Sequence, residues 1–350
     1  VDHYLEQITD PDFLPTRGLR IRPRDPDAPV AVQRLELLGD MLVPPALRDR
    51  LRELKPKTIV VIPDGALHKL PLEALLVRTA GKPRYLLEEL PPLVYAPSAS
   101  ALALLAERPA PARKGLPSLL PLSNPAYPQA KAAAPEDRRD AFSVLGLRGE
   151  MSLLPASADE AKQVRRYFSA EKTVALEGRG ATEKAFTSAV AGRTVLHIAA
   201  HGFADDRFGN LFGALAFTPP PAGKTGDTDD GFLSLHEIYR LPLEHCELAV
   251  LSACSTNVGP QRPLEAGVTL AGGFLAAGAR RVVASHWSVD DRSTAELMGG
   301  FFASVTNREN ARGHAHALRE ARLAILRRAE WASPFYWAPF VLIGPPERRE

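Results

Sequence analysis

Two histidines four positions apart, His197 and His201 in "LHIAAHG", are the first residues whose types and spacing point to chemistry. On an α-helix that spacing stacks both imidazoles on one face and allows them to clasp a zinc ion. On a strand they stand about 13 Å apart at roughly 3.3 Å per residue, too far to share a metal. Thr194, Val195, Leu196 and Ile198 give the stretch strand character and Gly202 breaks it, so the strand reading holds. Ile198 also occupies the place of the glutamate in a zinc-protease helix, and no metal or cofactor is expected. His197, inside the apolar run, is expected to pack or hydrogen-bond within a sheet. His201 stands at the strand's C-terminal end, where α/β sheets bind their ligands.

Cys254 lies 53 positions further on, at the end of another apolar run, "LAVLSAC", and is followed by the small polar "STN". A neutral imidazole within reach accepts the thiol proton, and the imidazolium so formed stabilises a thiolate nucleophile. The backbone N–H groups of Gly202 and Cys254 are the candidates to face a developing oxyanion, because glycine lets the main chain come close to a substrate carbonyl. Ser252, two positions before the cysteine, is expected to face the same pocket by strand alternation. His286 ends another strand, but it lacks a following glycine, and His201 is preferred as the base. His236 and His245 flank a helix as surface or core residues, and Cys246 is expected to be inert. A serine hydrolase of the α/β type is disfavoured, since no G-x-S-x-G occurs.

The elements that must position these residues are legible as a pattern. "KTIVVI" reads as a strand followed by the turn "PDG" and a short helical stretch, and "LVYAPSASALALL" as a further strand-like piece. Seven prolines fall between Pro109 and Pro135, around the strand-like "SLLPLSN", and a boundary between two halves is placed there. From about residue 140 strands and helices alternate: helix "SADEAKQVRRYF", strand "KTVALEG", helix "ATEKAFTSAV", strand "TVLHIAA". Strand-like "LFGALAF", helix "SLHEIYRL", strand "LAVLSAC", helix "LEAGVTLAGGFLAAG" and strand "RRVVASHW" follow. Helices across 291 to 329 and "FYWAPFVLIG" end the chain. This alternation predicts a mostly parallel sheet with helices on both faces and the strand ends along one edge.

Composition excludes several classes. The formal charge of +2 over 350 residues gives no field for non-specific nucleic-acid binding, and no apolar run is long enough to span a bilayer. Two cysteines cannot form a disulfide framework, so a reducing cytoplasm is the expected home. The N-terminus "VDHYLEQITDPDF" has no signal-peptide pattern and no starting Met, and the chain is expected to be a piece of something longer.

"LHIAAHG", "DDGFLSLHEIYRLPLEHCELAVLSACST", "LAGGFLAAGARRVVASHWSVDD" and "PFYWAPFVLIG", together with "KTIVVIPDGALHKLPLEALL" and "YAPSASALALL", resemble the CHAT domain, caspase-like and associated with tetratricopeptide repeats. Its clan includes caspases, separases and gingipains. The resemblance runs from about residue 50 onward, and a caspase histidine likewise stands about fifty residues before its cysteine. It implies a caspase-like fold, with an accessory or pseudo-caspase half over 1–115 and a catalytic half over 116–350. It implies His201 and Cys254 as a protease dyad that cleaves a protein partner, governed by a regulatory repeat domain or activator. By the same resemblance the loop "ASHWSVDD" lines the pocket for the residue before the cut, with Ser285, Trp287 and Asp291 as wall candidates and an acidic wall favouring a basic residue. "SVDD" also reads as the cap of the helix that follows it, and loop solvation is the plain reading of Asp205 and Asp206. Relatives in bacterial defence and programmed death set the expected context. One departure is "STNVGPQRPLEAG", where Pro260 and Pro263 stand in a stretch that is glycine-rich in many relatives. The exposed loop 219–231 with Lys224 reads as a linker or, alternatively, a self-cleavage site. The competing function is a catalytically silent interaction module on the same fold.

Overall fold

A computed structural model describes residues 1–11, 28–79, 81–109, 117–127, 151–204, 210, 213–220, 229–254, 256–258, 268–307 and 312–347. Its strands are β1 (Ile59–Val61), β2 (Leu76–Thr79), β3 (Lys82–Tyr85), β4 (Leu93–Tyr95), β5 (Leu119–Ser123), β6 (Leu176–Glu177), β7 (Val195–Ala199), β8 (His201–Phe203), β9 (Ala214–Ala216), β10 (Phe232–Ser234), β11 (Leu248–Leu251), β12 (Val282–Ser285) and β13 (Phe340–Ile343). Eight of them form a central sheet in the order β1-β4-β13-β12-β11-β7-β5-β6. Every neighbouring pair is parallel except β12 and β13. A small antiparallel sheet, β10-β9-β8, sits beyond the end of β7, and β2 and β3 form a hairpin.

The central strands "VLHIA", "LAVL", "VVAS" and "FVLI" are buried at every position. Near-continuous apolar runs are what a sheet covered on both faces requires, and each fully buried aliphatic side chain contributes about 1.5–3 kcal/mol. His197 is the polar exception within β7. It is fully buried, and its Nε2 meets Glu160 Oε1 of the helix Pro155–Arg165 at 2.7 Å, so the expected packing role holds. Phe302 stands edge-on to the same imidazole at 5.8 Å.

Several elements are shorter than their sequence patterns. "LVYAPSASALALL" is a strand only over β4. Pro97 stops it, and Ser98 accepts the Ala101 N–H at 3.0 Å to open the helix Ala99–Glu107. "KTVALEG" gives only the two-residue β6, at the sheet edge. "SLHEIYRL" is helical over Leu235–Ile238, where Ser234 and Glu237 form a capping box. The helix within "LEAGVTLAGGFLAAG" spans Leu270–Ala276, and residues 259–267, with Pro260 and Pro263, lie outside the described residues.

The proline-rich stretch separates β4 from β5 along the chain, yet the sheet runs through both parts. β4 pairs with β1 on one side and with β13, from the chain's far end, on the other.

Candidate active site

β7 and β11 are parallel neighbours, with Val195 opposite Leu248 and Ile198 opposite Leu251. His201 and Cys254 each stand three residues beyond the last of these pairs, so the register brings both to the same height at the C-terminal rim. The strands stay together past their ends. Ser252 donates its N–H to Ile198 at 2.8 Å, and Gly202 lies so close to the cysteine turn that a Cβ on it would stand 2.5 Å from the Cys254 carbonyl oxygen. Both His201 and Cys254 are half-buried, so the rim is open to solvent. His201 differs from expectation in one respect: it does not end the β7 strand but begins β8, after a break at Ala200, and so belongs to the small sheet.

The turn that carries Cys254 is braced by buried polar groups. Ser285 is fully buried, and its hydroxyl donates to the Ala253 carbonyl. Thr256, equally buried, accepts the Ser285 N–H on Oγ1 at 2.9 Å, and its carbonyl accepts the Ala271 N–H at 3.1 Å. Asn257 donates to the Ser285 carbonyl at 2.8 Å. Among the described residues no hydrogen bond takes up the Cys254 N–H.

The His201 imidazole is held from two sides. Nε2 lies 2.9 Å from the Ser152 carbonyl oxygen. A carbonyl only accepts, so Nε2 carries a proton, and in the neutral ring the lone pair is left on Nδ1. The Tyr127 ring packs on the imidazole at 5.1 Å between centroids, inclined by 41°. The sequence carried no sign of Tyr127 or Ser152, ordinary residue types that lie 74 and 49 positions from His201.

The other predicted residues fall into distinct places. Ser252 is buried at the end of β11, and its hydroxyl has no partner among the described residues. Ser285, expected as a wall candidate, is fully buried and braces the cysteine turn. Trp287 is half-buried, with its indole N–H donated to the Phe335 carbonyl at 3.2 Å. The cap of the helix Asp291–Thr306 is Asp290, which accepts the Ser293 N–H at 2.9 Å, and this leaves the Asp291 carboxylate free of capping duty. Desolvation, then the carboxylates of Asp290 and Glu160, raise Asp291 above the ordinary aspartate range while His201 pulls it down, so Asp291 is within electrostatic reach of the imidazole. Burial, then Arg322 and His68, push the His286 imidazole down to about 3, so it stays neutral and without a partner among the described residues. Cys246 is fully buried, and that burial pushes its thiol up to about 12, which keeps it unreactive. His236 and His245 are exposed. Asp205, Asp206, Lys224 and most of the loop 219–231 lie outside the described residues. Among the described residues no group of His, Cys, Asp and Glu is arranged to hold a metal ion, and no helix is long and apolar enough to cross a membrane.

The mostly parallel eight-stranded sheet flanked by helices has the caspase-like fold. The model of the CHAT domain family matches residues 32–345, and the chain belongs to that family. No curated protein matches the sequence. Among solved structures, the Arg-specific cysteine proteinase gingipain R (RgpB) superposes with a TM-score of 0.54 at 12% identity, covering 99% of this chain and 76% of that one. The complex of Porphyromonas gingivalis RgpB pro- and mature domains gives 0.53 at 13% identity, covering 98% of this chain and 76% of that one. The Saccharomyces cerevisiae separase–securin complex gives 0.51 at 13% identity and covers 99% of this chain but only 20% of that one. At these identities the likeness is one of fold.

Proposed function

We propose that the chain is a cysteine endopeptidase in which Cys254 is the nucleophile and His201 the general base and acid. The observation that carries this reading is the close approach of Gly202 to the Cys254 carbonyl at the shared end of β7 and β11. His201 Nδ1, left as acceptor by the Ser152 contact, takes the thiol proton, and the thiolate attacks the scissile carbonyl. The N–H groups of Gly202 and Cys254 hold the oxyanion that develops. The imidazolium then gives its proton to the leaving amine, and a thioester forms. Water, deprotonated by His201, cleaves the thioester and restores the thiol.

In this reading Ser252 and Trp287 border the pocket, and Asp291 supplies a negative charge near the base that suits a basic residue before the cut. The substrate is a protein, and control falls to a protein partner or an upstream repeat domain. Two of the structures with this fold are themselves complexes, one with a pro-domain and one with securin. The two free cysteines fit a reducing cytoplasm.

The test is labelling with a panel of peptidyl acyloxymethyl ketones, with the adduct located by mass spectrometry. Wild-type protein is expected to carry one adduct, on Cys254, and both Cys254→Ala and His201→Ala to carry none. An adduct on Cys246, or labelling that survives either substitution, overturns the dyad. An unlabelled wild-type chain with a folded spectrum favours the silent interaction module instead.

A further inference from the structure

Tyr127 lies beyond the end of β5 and is 4% exposed. Its ring belongs to a small apolar cluster under the antiparallel sheet, with Ala214, Ala216 and Phe232, against which Met151, Leu154 and Phe203 pack. Its hydroxyl accepts the His201 N–H at 3.2 Å and donates to the Ala216 carbonyl at 2.9 Å. Ala216 is the residue opposite His201 in the β8–β9 ladder, so one phenol is bonded to both members of the first pair of that ladder. The same ring packs on the imidazole, at 5.1 Å between centroids.

We infer that Tyr127 is a positioning residue for the His201 base: its hydroxyl fixes the backbone at His201, and its ring, together with the Ser152 carbonyl, fixes the imidazole angle. The inference rests on the Cys254–His201 reading above. Without these contacts a half-buried histidine at a strand start is free to turn about two side-chain torsions, and only part of that range aims Nδ1 at Cys254. Misplacement of a catalytic group by about 1 Å can cost on the order of a hundredfold in rate. Burial pushes the phenol's ionisation well up, against the opposing pull of the His201 N–H, so the hydroxyl keeps its proton and can donate to Ala216.

Tyr127→Phe keeps the ring and removes both hydrogen bonds, and Tyr127→Leu removes the ring as well. With an acyloxymethyl ketone that labels the wild type, the maximal inactivation rate is expected to fall about tenfold in Tyr127→Phe and about a hundredfold in Tyr127→Leu. The concentration at half-maximal rate should stay within about twofold. Independently, the rate at which iodoacetamide alkylates Cys254 should fall by a similar factor, because an imidazole turned away no longer takes the thiol proton, whereas loss of fold would expose the thiol and raise that rate. That rate is read without any peptide substrate. An unchanged alkylation rate together with an unchanged maximal rate overturns the inference. So does a loss of rate that only tracks loss of folded protein by circular dichroism, which makes Tyr127 structural. Cys254→Ala and His201→Ala run alongside: if they leave the labelling intact the dyad itself fails, whereas if they abolish it and Tyr127→Phe changes nothing, only the role of Tyr127 falls.

Discussion

At Gly202 the missing side chain is what lets β8 lie against the cysteine turn. A Cβ there would meet a backbone oxygen at 2.5 Å, with Ala253 Cβ and Thr256 Cγ2 at 3.3 Å behind it, and the turn, braced by Ser285 and Thr256, has little room to give. Gly202→Ala is therefore expected to cost about 1–3 kcal/mol by overpacking. It should also slow ketone labelling of Cys254 by about a hundredfold by displacing that thiol. Thermal melting and labelling rates measured on the same preparation check both, and labelling at the wild-type rate would show that the close approach does not set the site. His201, Gly202 and Cys254 could be singled out in the sequence because strand-end position and residue type are local signals. Tyr127, Ser152 and Thr256 were silent because their roles come from contacts made by folding. Ser285 was expected as a pocket wall from its strand-end placement, whereas the direction of its hydroxyl, toward the Ala253 carbonyl, depends on the neighbouring turn.

The strands of the central sheet were legible from their apolar runs, because burial on both faces leaves little room for polar residues. The weak spots were the ends of elements. Pro97 and Ser98 redirect the chain from β4 into a helix, and the small antiparallel sheet is made of three-residue strands too short for periodicity to declare. One junction between elements has a pH signature. After β13 the chain places Glu347 on the start of the helix His314–Leu326, where it contacts His314 Nδ1 and accepts the His314 N–H at 2.9 Å. Burial works against the carboxylate, but the hydrogen bond and charge of His314, its backbone N–H and then Arg281 outweigh it and hold Glu347 at about 2, below an ordinary value of 4.5. A value depressed in the folded state means stability present above about 4.5 and lost as pH falls through about 2. Melting temperatures of wild type and Glu347→Gln should accordingly differ most near neutral pH and converge as the pH approaches 2. A gap that stays constant down to that pH would remove the carboxylate from the stability of this junction.

For the whole molecule, the question is whether residues 1–115 and 116–350 are two units or one. Tyr4, near the start of the chain, donates to the Ala74 carbonyl at 2.7 Å, and β4 joins β13 in the central sheet. Between the two parts lies a buried ion pair. Arg322, on the helix His314–Leu326, donates to Glu73 Oε1, and the Tyr95 hydroxyl donates to Glu73 Oε2 at 2.6 Å. The side chains of Arg322 and Glu73 are only 2% and 5% exposed. Taking away one member of such a pair leaves the other charge buried and uncompensated, at a cost of about 3–5 kcal/mol, whereas replacing both by apolar groups is often nearly neutral. Glu73→Ala is thus expected to destabilise the chain strongly, and Glu73→Leu combined with Arg322→Met to recover most of that loss. Because the sheet and the ion pair both cross the proposed boundary, heating should unfold wild type and variants in a single transition, followed by near-ultraviolet circular dichroism and by calorimetry. A calorimetric trace with two separate transitions, only one of them shifted by Glu73→Ala, would mean that the parts fold independently and that the shared sheet does not couple them.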